Sequence, residues 1–217
     1  MHRSSLPARR SRVRVALATL LLVAAPACAG GAGGAHYGAG RPSFLPPSRP
    51  AEFDLGRLPW GAAGDSVTAV IEPHGYNYNS TDADGDMLFD GMLFRAPTRV
   101  YGFMADQKLV KVRVFIMTAD EDAMSVYQSV RAELTKQYGA PRETVEEYEA
   151  PYRKGDNKAL EAIRAGKAEF QSHWMPAGRG TPHVAAAITD KLTVVVDYEG
   201  PAWEKESLRR RRASGAR

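Results

Sequence analysis

The chain has 217 residues, of which 44% are hydrophobic and 25% are charged, so it can bury one core but is too short for two large domains. Its net charge of +4 comes from the two ends, because residues 1–28 carry five arginines and no acid, and residues 203–217 carry six bases against two acids. Residues 29–202 have a net charge of −5. This distribution does not support a basic folded surface for phosphate binding, so no nucleic-acid partner is expected.

The first 28 residues are typical of a signal peptide, with a basic segment up to Arg14, an uncharged core and then small residues. Cys28 follows those small residues, which indicates a lipoprotein signal whose cysteine becomes acylated. The alternative is ordinary cleavage after Ala27 or Ala29 with an unmodified cysteine. We therefore expect an exported protein that is either attached to the membrane through a lipid on Cys28 or soluble in the periplasm or medium.

Residues 29–52 are rich in Gly, Ala and Pro and are predicted to be a linker. A single domain is predicted to follow over residues 53–203. Its first half is predicted to contain a short helix and then three strands, at 63–72, 87–94, 98–105 and 109–118. A second helix is predicted between a capping box at Thr118–Glu121 and the stop at Gly139, with Val126, Val130, Leu134 and Tyr138 as its core stripe.

The second half is predicted to follow a similar plan, with a strand, a small helix and three more strands at 143–149, 156–165, 168–175, 183–189 and 192–198. Short turns between neighbouring strands favour an antiparallel sheet. The predicted fold is therefore α+β, mainly antiparallel, with helices packed on one face in the order helix, strands, helix, strands. That order suggests a duplicated unit, although no sequence repeat is detected. Residues 204–217 are predicted to be a basic disordered tail.

Several turn and cap residues resemble those of a group of exported bacterial α+β domains. They are Trp60-Gly61, Gly75-Tyr76, the hairpin from Phe103 to Val112, and the segment Tyr138-Gly139-Ala140-Pro141. The order of elements is more distantly similar to the outer-membrane assembly lipoproteins of the BamE/SmpA type and to the β-lactamase-inhibitor-protein fold. The resemblance covers residues 53–200 and implies a fold and an envelope location, but it supplies no catalytic residue.

The third predicted strand has one fully apolar face and one mixed face. The mixed face carries Lys111, Arg113, Phe115 and Met117. If the helices cover the apolar face, the mixed face is free to bind a partner. The alternative is that a second layer, or the segment 150–166, covers it.

Two clusters are candidates for metal binding. Asp82, Asp84 and Asp86 alternate as at the start of an EF-hand loop, but the rest of that loop is absent and an Asp-Gly turn explains the same residues. His173 and His183 lie on consecutive predicted strands, where zinc would need at least a third ligand. No cofactor is expected.

The sequence favours a non-catalytic envelope protein that binds another envelope protein through its sheet. An exported hydrolase or metal-dependent enzyme using His173 and His183 is a second hypothesis. An inhibitor-type module against an exported enzyme is a third.

Overall fold

The computed structural model describes residues 53–175, 178 and 180–213, which form an α+β domain built on one eight-stranded sheet. Its strands are β1 (Asn77–Thr81), β2 (Met87–Leu93), β3 (Ala96–Ala105), β4 (Lys108–Ile116), β5 (Glu143–Tyr148), β6 (Ala168–Trp174), β7 (His183–Ile188) and β8 (Val194–Glu199). Its α-helices are α1 (Gly64–Ile71), α2 (Ala123–Tyr138), α3 (Ala159–Arg164) and α4 (Trp203–Ala213).

The strands are ordered β1-β2-β3-β4-β8-β7-β6-β5 across the sheet, and each neighbouring pair is antiparallel. Two four-stranded meanders therefore meet at β4 and β8, where Val114 lies opposite Val196. The predicted α+β class and antiparallel sheet are confirmed. The sequence did not predict β1, whose five residues are all exposed and show no alternation of apolar and polar side chains.

One face of the sheet forms the core together with α1, α2 and α3. From β4 and β8 the core takes Val112, Val114, Val194 and Val196. In α2 the buried residues are Ala123, Tyr127, Val130 and Leu134, whereas the predicted stripe contained Val126 and Tyr138. The difference arises because a strict spacing of four residues drifts around a helix of 3.6 residues per turn. Val126 and Tyr138 consequently lie at the edge of the stripe and are half-buried.

The last described element corrects the prediction of a disordered tail and the prediction that the helices all pack on one face of the sheet. Residues 204–213 were predicted to be disordered, but they belong to α4, and α4 packs on the sheet face opposite α1 and α2. The Trp203 ring lies 5.6 Å from that of Phe103, and Arg210 forms a salt bridge of 2.6 Å with Asp86. One of these arginines, Arg210, pairs with Asp86, which lies 124 residues away in the sequence, so the arginine run alone did not indicate a docked helix.

The predicted signal peptide, Cys28 and the predicted linker all lie outside the described residues. Within the described part of the chain, the longest helix is α2 with 16 residues. No helix there is long and apolar enough to cross a lipid bilayer.

Candidate functional site

The face of the sheet turned away from α1 and α2, which we call the open face, carries the candidate site. Cross-strand register brings one row of its residues together from β6, β7, β8, β4 and β3: His173, Ala185, Asp197, Arg113 and Tyr101. A neighbouring row on β7, β8 and β4 contains Ala187, Val195 and Phe115. Of the described helices, α4 packs on this face, at the end formed by Phe103 and Lys111.

Four charged side chains form a network where β4 meets β8. Lys111 Nζ lies 2.7 Å from Glu199 Oε1 and 3.2 Å from Asp197 Oδ2. Arg113 donates two hydrogen bonds to Asp197, of 2.7 Å from Nε and 2.6 Å from Nη2. Hydrogen bonding to Asp197 raises the pKa of Arg113 despite partial burial. The paired geometry fixes the plane of the guanidinium group.

The two histidines extend this network toward β6. Their rings are stacked with centroids 5.3 Å apart, and His173 Nδ1 lies 3.3 Å from His183 Nε2. His183 pairs with Glu199 in the sheet and His173 pairs with Ala185, so the two histidines are diagonal neighbours on adjacent strands. His183 Nδ1 also lies 3.3 Å from Glu199 Oε2. Glu199 thus connects a histidine pair to Lys111.

Glu199 stays ionised in this setting. Burial acts to raise the pKa of its carboxyl group, but hydrogen bonds from His183 and Lys111 outweigh burial and lower that pKa to about 2. A cavity of about 600 Å³ opens beside it, bordered also by Trp203 and Arg211. The cavity wall therefore contains a fixed carboxylate, an imidazole and an ammonium group.

The structure places the four residues of the predicted partner-binding face in different environments. Lys111 is only 4% exposed, because the Trp203 ring lies 4.6 Å from its Nζ. Arg113 and Phe115 are half-buried, and Phe115 forms an edge-to-face pair with Tyr101 at 5.4 Å. Met117 is 53% exposed. Three of the four can therefore reach a partner, and Lys111 is covered by α4.

The three aspartates of the candidate calcium loop have structural contacts instead. Asp82 Oδ1 accepts hydrogen bonds from the backbone N–H groups of Asp84 and Asp86, at 2.9 and 3.0 Å, which closes the turn before β2. Asp86 is buried and binds Arg210 and the N–H of Met104. Across the described residues, no three His, Cys, Asp or Glu side chains converge as metal ligands would.

Sequence reasoning missed Asp197, Glu199 and Tyr101 as members of the site. The two acids alternate along β8 with the core residues Val196 and Tyr198, and that alternation was a usable signal. Their partners could not be identified, because the register between β4 and β8 joins segments more than 80 residues apart.

Comparison of the chain with protein-family models, curated proteins and solved structures finds no match. The resemblance to exported bacterial domains and to the BamE/SmpA type remains a prediction.

Proposed function

We propose that the protein is a non-catalytic binding module of the cell envelope that recognises a protein partner through its open face. The observation that carries this proposal is the accessible part of that face, where Tyr101, Arg113 and Phe115 lie close together on β3 and β4. The exposed Met117 follows directly after β4. Aromatic residues, Met and Arg are enriched in protein interfaces and dominate their binding energy.

The side chains of the patch are held in place before a partner binds. Asp197 holds Arg113 with two hydrogen bonds, and Tyr101 supports the ring of Phe115. Side chains that are already ordered lose less entropy when a partner binds. On β7 the neighbouring residues Ala185 and Ala187 are small, so a partner side chain can approach the sheet there.

A pair of matched variants tests the proposal. Met117→Glu places a charge in the exposed part of the patch, and Gln128→Glu places the same residue on the exposed side of α2 as the control. Envelope proteins cross-linked to each variant are quantified by mass spectrometry against the wild type. We expect a partner whose recovery falls at least tenfold with Met117→Glu and is unchanged with Gln128→Glu. A set of cross-linked proteins identical for all three chains contradicts the proposal.

Membrane attachment through Cys28 is a separate part of the proposal. It is supported by the order of basic segment, apolar core and small residues before Cys28. Intact mass of the wild type and of Cys28→Ser, purified from membrane and soluble fractions, provides the test. A diacylglyceryl mass that disappears with membrane attachment in the variant supports the anchor. An unmodified wild-type chain in the soluble fraction contradicts it, without affecting the open-face proposal.

The two alternatives rest on the same part of the sheet. An inhibitor-type module would use the same patch against an exported enzyme, and the cross-linked partner distinguishes this case by its identity. A metal-dependent enzyme would use His173, His183 and the cavity beside Glu199. It is less well supported, because no third convergent ligand is found among the described residues.

The finer fold prediction is also a proposal. Each half of the domain contains a helix followed by a four-stranded meander, α1 with β1 to β4 and α2 with β5 to β8. This common order supports a duplicated unit, with α3 inserted between β5 and β6 of the second copy.

A further inference from the structure

A second charged surface lies along one exposed side of α4, where the helix borders β3 and β4, and we call it the basic face. It consists of Lys205, Leu208, Arg209 and Arg212, together with Lys108 at the start of β4. The four helix residues have the spacing i, i+3, i+4 and i+7, which places them on one side of α4. The basic face therefore combines four cationic groups with one apolar side chain that is 44% exposed.

These five residues border a cavity of about 670 Å³ between α4 and the sheet. Small apolar residues form part of its wall: Ala105, Val110 and Ala202. Two acids also border the cavity, Asp106 and Glu206. Glu206 is already bound by Arg209 and Arg210, with contacts of 2.6 and 2.8 Å. Cationic groups thus outnumber the acids around an apolar opening.

The charge of the domain is strongly polarised toward this surface. Residues 53–202 contain 16 lysines and arginines against 22 acids, a net charge of −6, whereas residues 203–213 have a net charge of +3. Within the described part of the chain, Lys108, Lys205 and Arg212 form no salt bridge. Their positive potential is therefore directed to the solvent.

We propose that the basic face binds the headgroups of anionic lipids at a bilayer surface, with Leu208 entering the interface. Clustered Lys and Arg side chains attract anionic headgroups, and an exposed apolar residue on the same helix side adds affinity by burial. The face is distinct from the partner-binding patch. It also does not depend on acylation of Cys28.

The test uses the full chain with Cys28→Ser, so that no acyl group contributes to binding. Its partition onto vesicles of phosphatidylcholine alone, and of equal parts phosphatidylglycerol and phosphatidylcholine, is measured by sedimentation. The predicted signal segment contributes equally to every variant compared. We expect stronger binding to the anionic vesicles that weakens as salt is added.

Two double variants locate the binding surface. Lys205→Gln with Arg212→Gln removes two charges of the basic face, and we expect about 25-fold weaker binding to anionic vesicles, at about fivefold for each cation near the surface. Arg131→Gln with Lys191→Gln removes the same charge from exposed positions elsewhere and should change binding less than threefold. Circular dichroism checks that both remain folded.

Equal loss of binding in the two double variants would overturn the proposal, because net charge alone would then explain the affinity. Equal binding of the parent chain to neutral and anionic vesicles would also overturn it. The proposal would also be overturned if the chain bound soluble poly-glutamate through Lys205 and Arg212 but did not bind vesicles, because the basic face would then recognise an acidic polymer and not a lipid surface. None of these outcomes bears on the partner-binding patch.

Discussion

Replacing Arg210 with Gln should undock α4 from the sheet. Arg210 donates hydrogen bonds of 2.6 and 2.9 Å to Asp86 and one of 2.7 Å to the carbonyl of Met104. The Asp86 side chain is 6% exposed, so it would remain buried without its counter-ion. Removing one partner of a buried ion pair costs about 3–5 kcal/mol. We expect the lower end, about 3 kcal/mol, because the Arg210 side chain is 25% exposed.

Local unfolding of α4 limits this loss of stability, because the Asp86 carboxylate becomes hydrated once α4 leaves the sheet. The expected result is therefore amide hydrogen exchange in α4 that is faster by about 150-fold, with a smaller change in the central strands. Arg209→Gln is the matched control, because Arg209 is 66% exposed and its buried partner Glu206 keeps its contact with Arg210, so we expect a loss of less than about 1 kcal/mol. Equal exchange rates in the two variants would show that the Asp86 contact does not hold α4.

Two further predictions concern the sheet. A Cβ atom at Gly91 would overlap the ring of Tyr76, which is 1% exposed and cannot move aside, so Gly91→Ala should lower the free energy of unfolding by about 1–3 kcal/mol in urea. Gly102→Ala, where the nearest atom lies at 3.4 Å, is the control and should cost less. For Glu199, a pKa lowered from 4.5 to about 2 means that its stabilisation is complete above about pH 4.5 and is lost as the pH falls through about 2. The shift corresponds to at most about 3 kcal/mol, and exposure of 28% of the side chain reduces the expected value to about 1–2 kcal/mol. Between about pH 5 and 2, the free energy of unfolding measured in urea should fall more steeply with decreasing pH for the wild type than for Glu199→Gln. The same pH dependence in both proteins would contradict the assigned contacts.

The sequence predicted elements whose evidence is local. The stop at Gly139 and the buried Val130 and Leu134 are signals inside α2 itself, and they identify the helix. The alternation from Val110 to Ile116 lies inside β4 and identifies that strand. β1 carries no such pattern, because an exposed edge strand forms through backbone pairing with β2. The strand conformation of β1 therefore depends on its pairing with β2 and not on any periodicity in its own sequence.

The candidate site depends on contacts that no local pattern contains. Asp197 becomes a partner of Arg113 only once β8 pairs with β4 in one register. A shift of one residue would turn the acid toward the core and leave the guanidinium unpaired. Similarly, Arg210 docks on the folded domain because it pairs with Asp86, the residue immediately before β2. Composition alone cannot distinguish such an arginine from a solvated one.

The docking of α4 and the chemistry of the open face are physically linked through Lys111. Its ammonium group lies beneath Trp203 of α4 and at the same time 2.7 Å from Glu199. If α4 undocks, water reaches Lys111 and weakens its attraction for the carboxylate, so the pKa of Glu199 should rise from about 2 toward its ordinary value of 4.5 in Arg210→Gln. A carboxyl ¹³C titration measures that pKa directly. An unchanged value in the variant would mean that β4 and β8 hold the Lys111–Glu199 pair without help from α4, and that the open face is independent of the helix beside it.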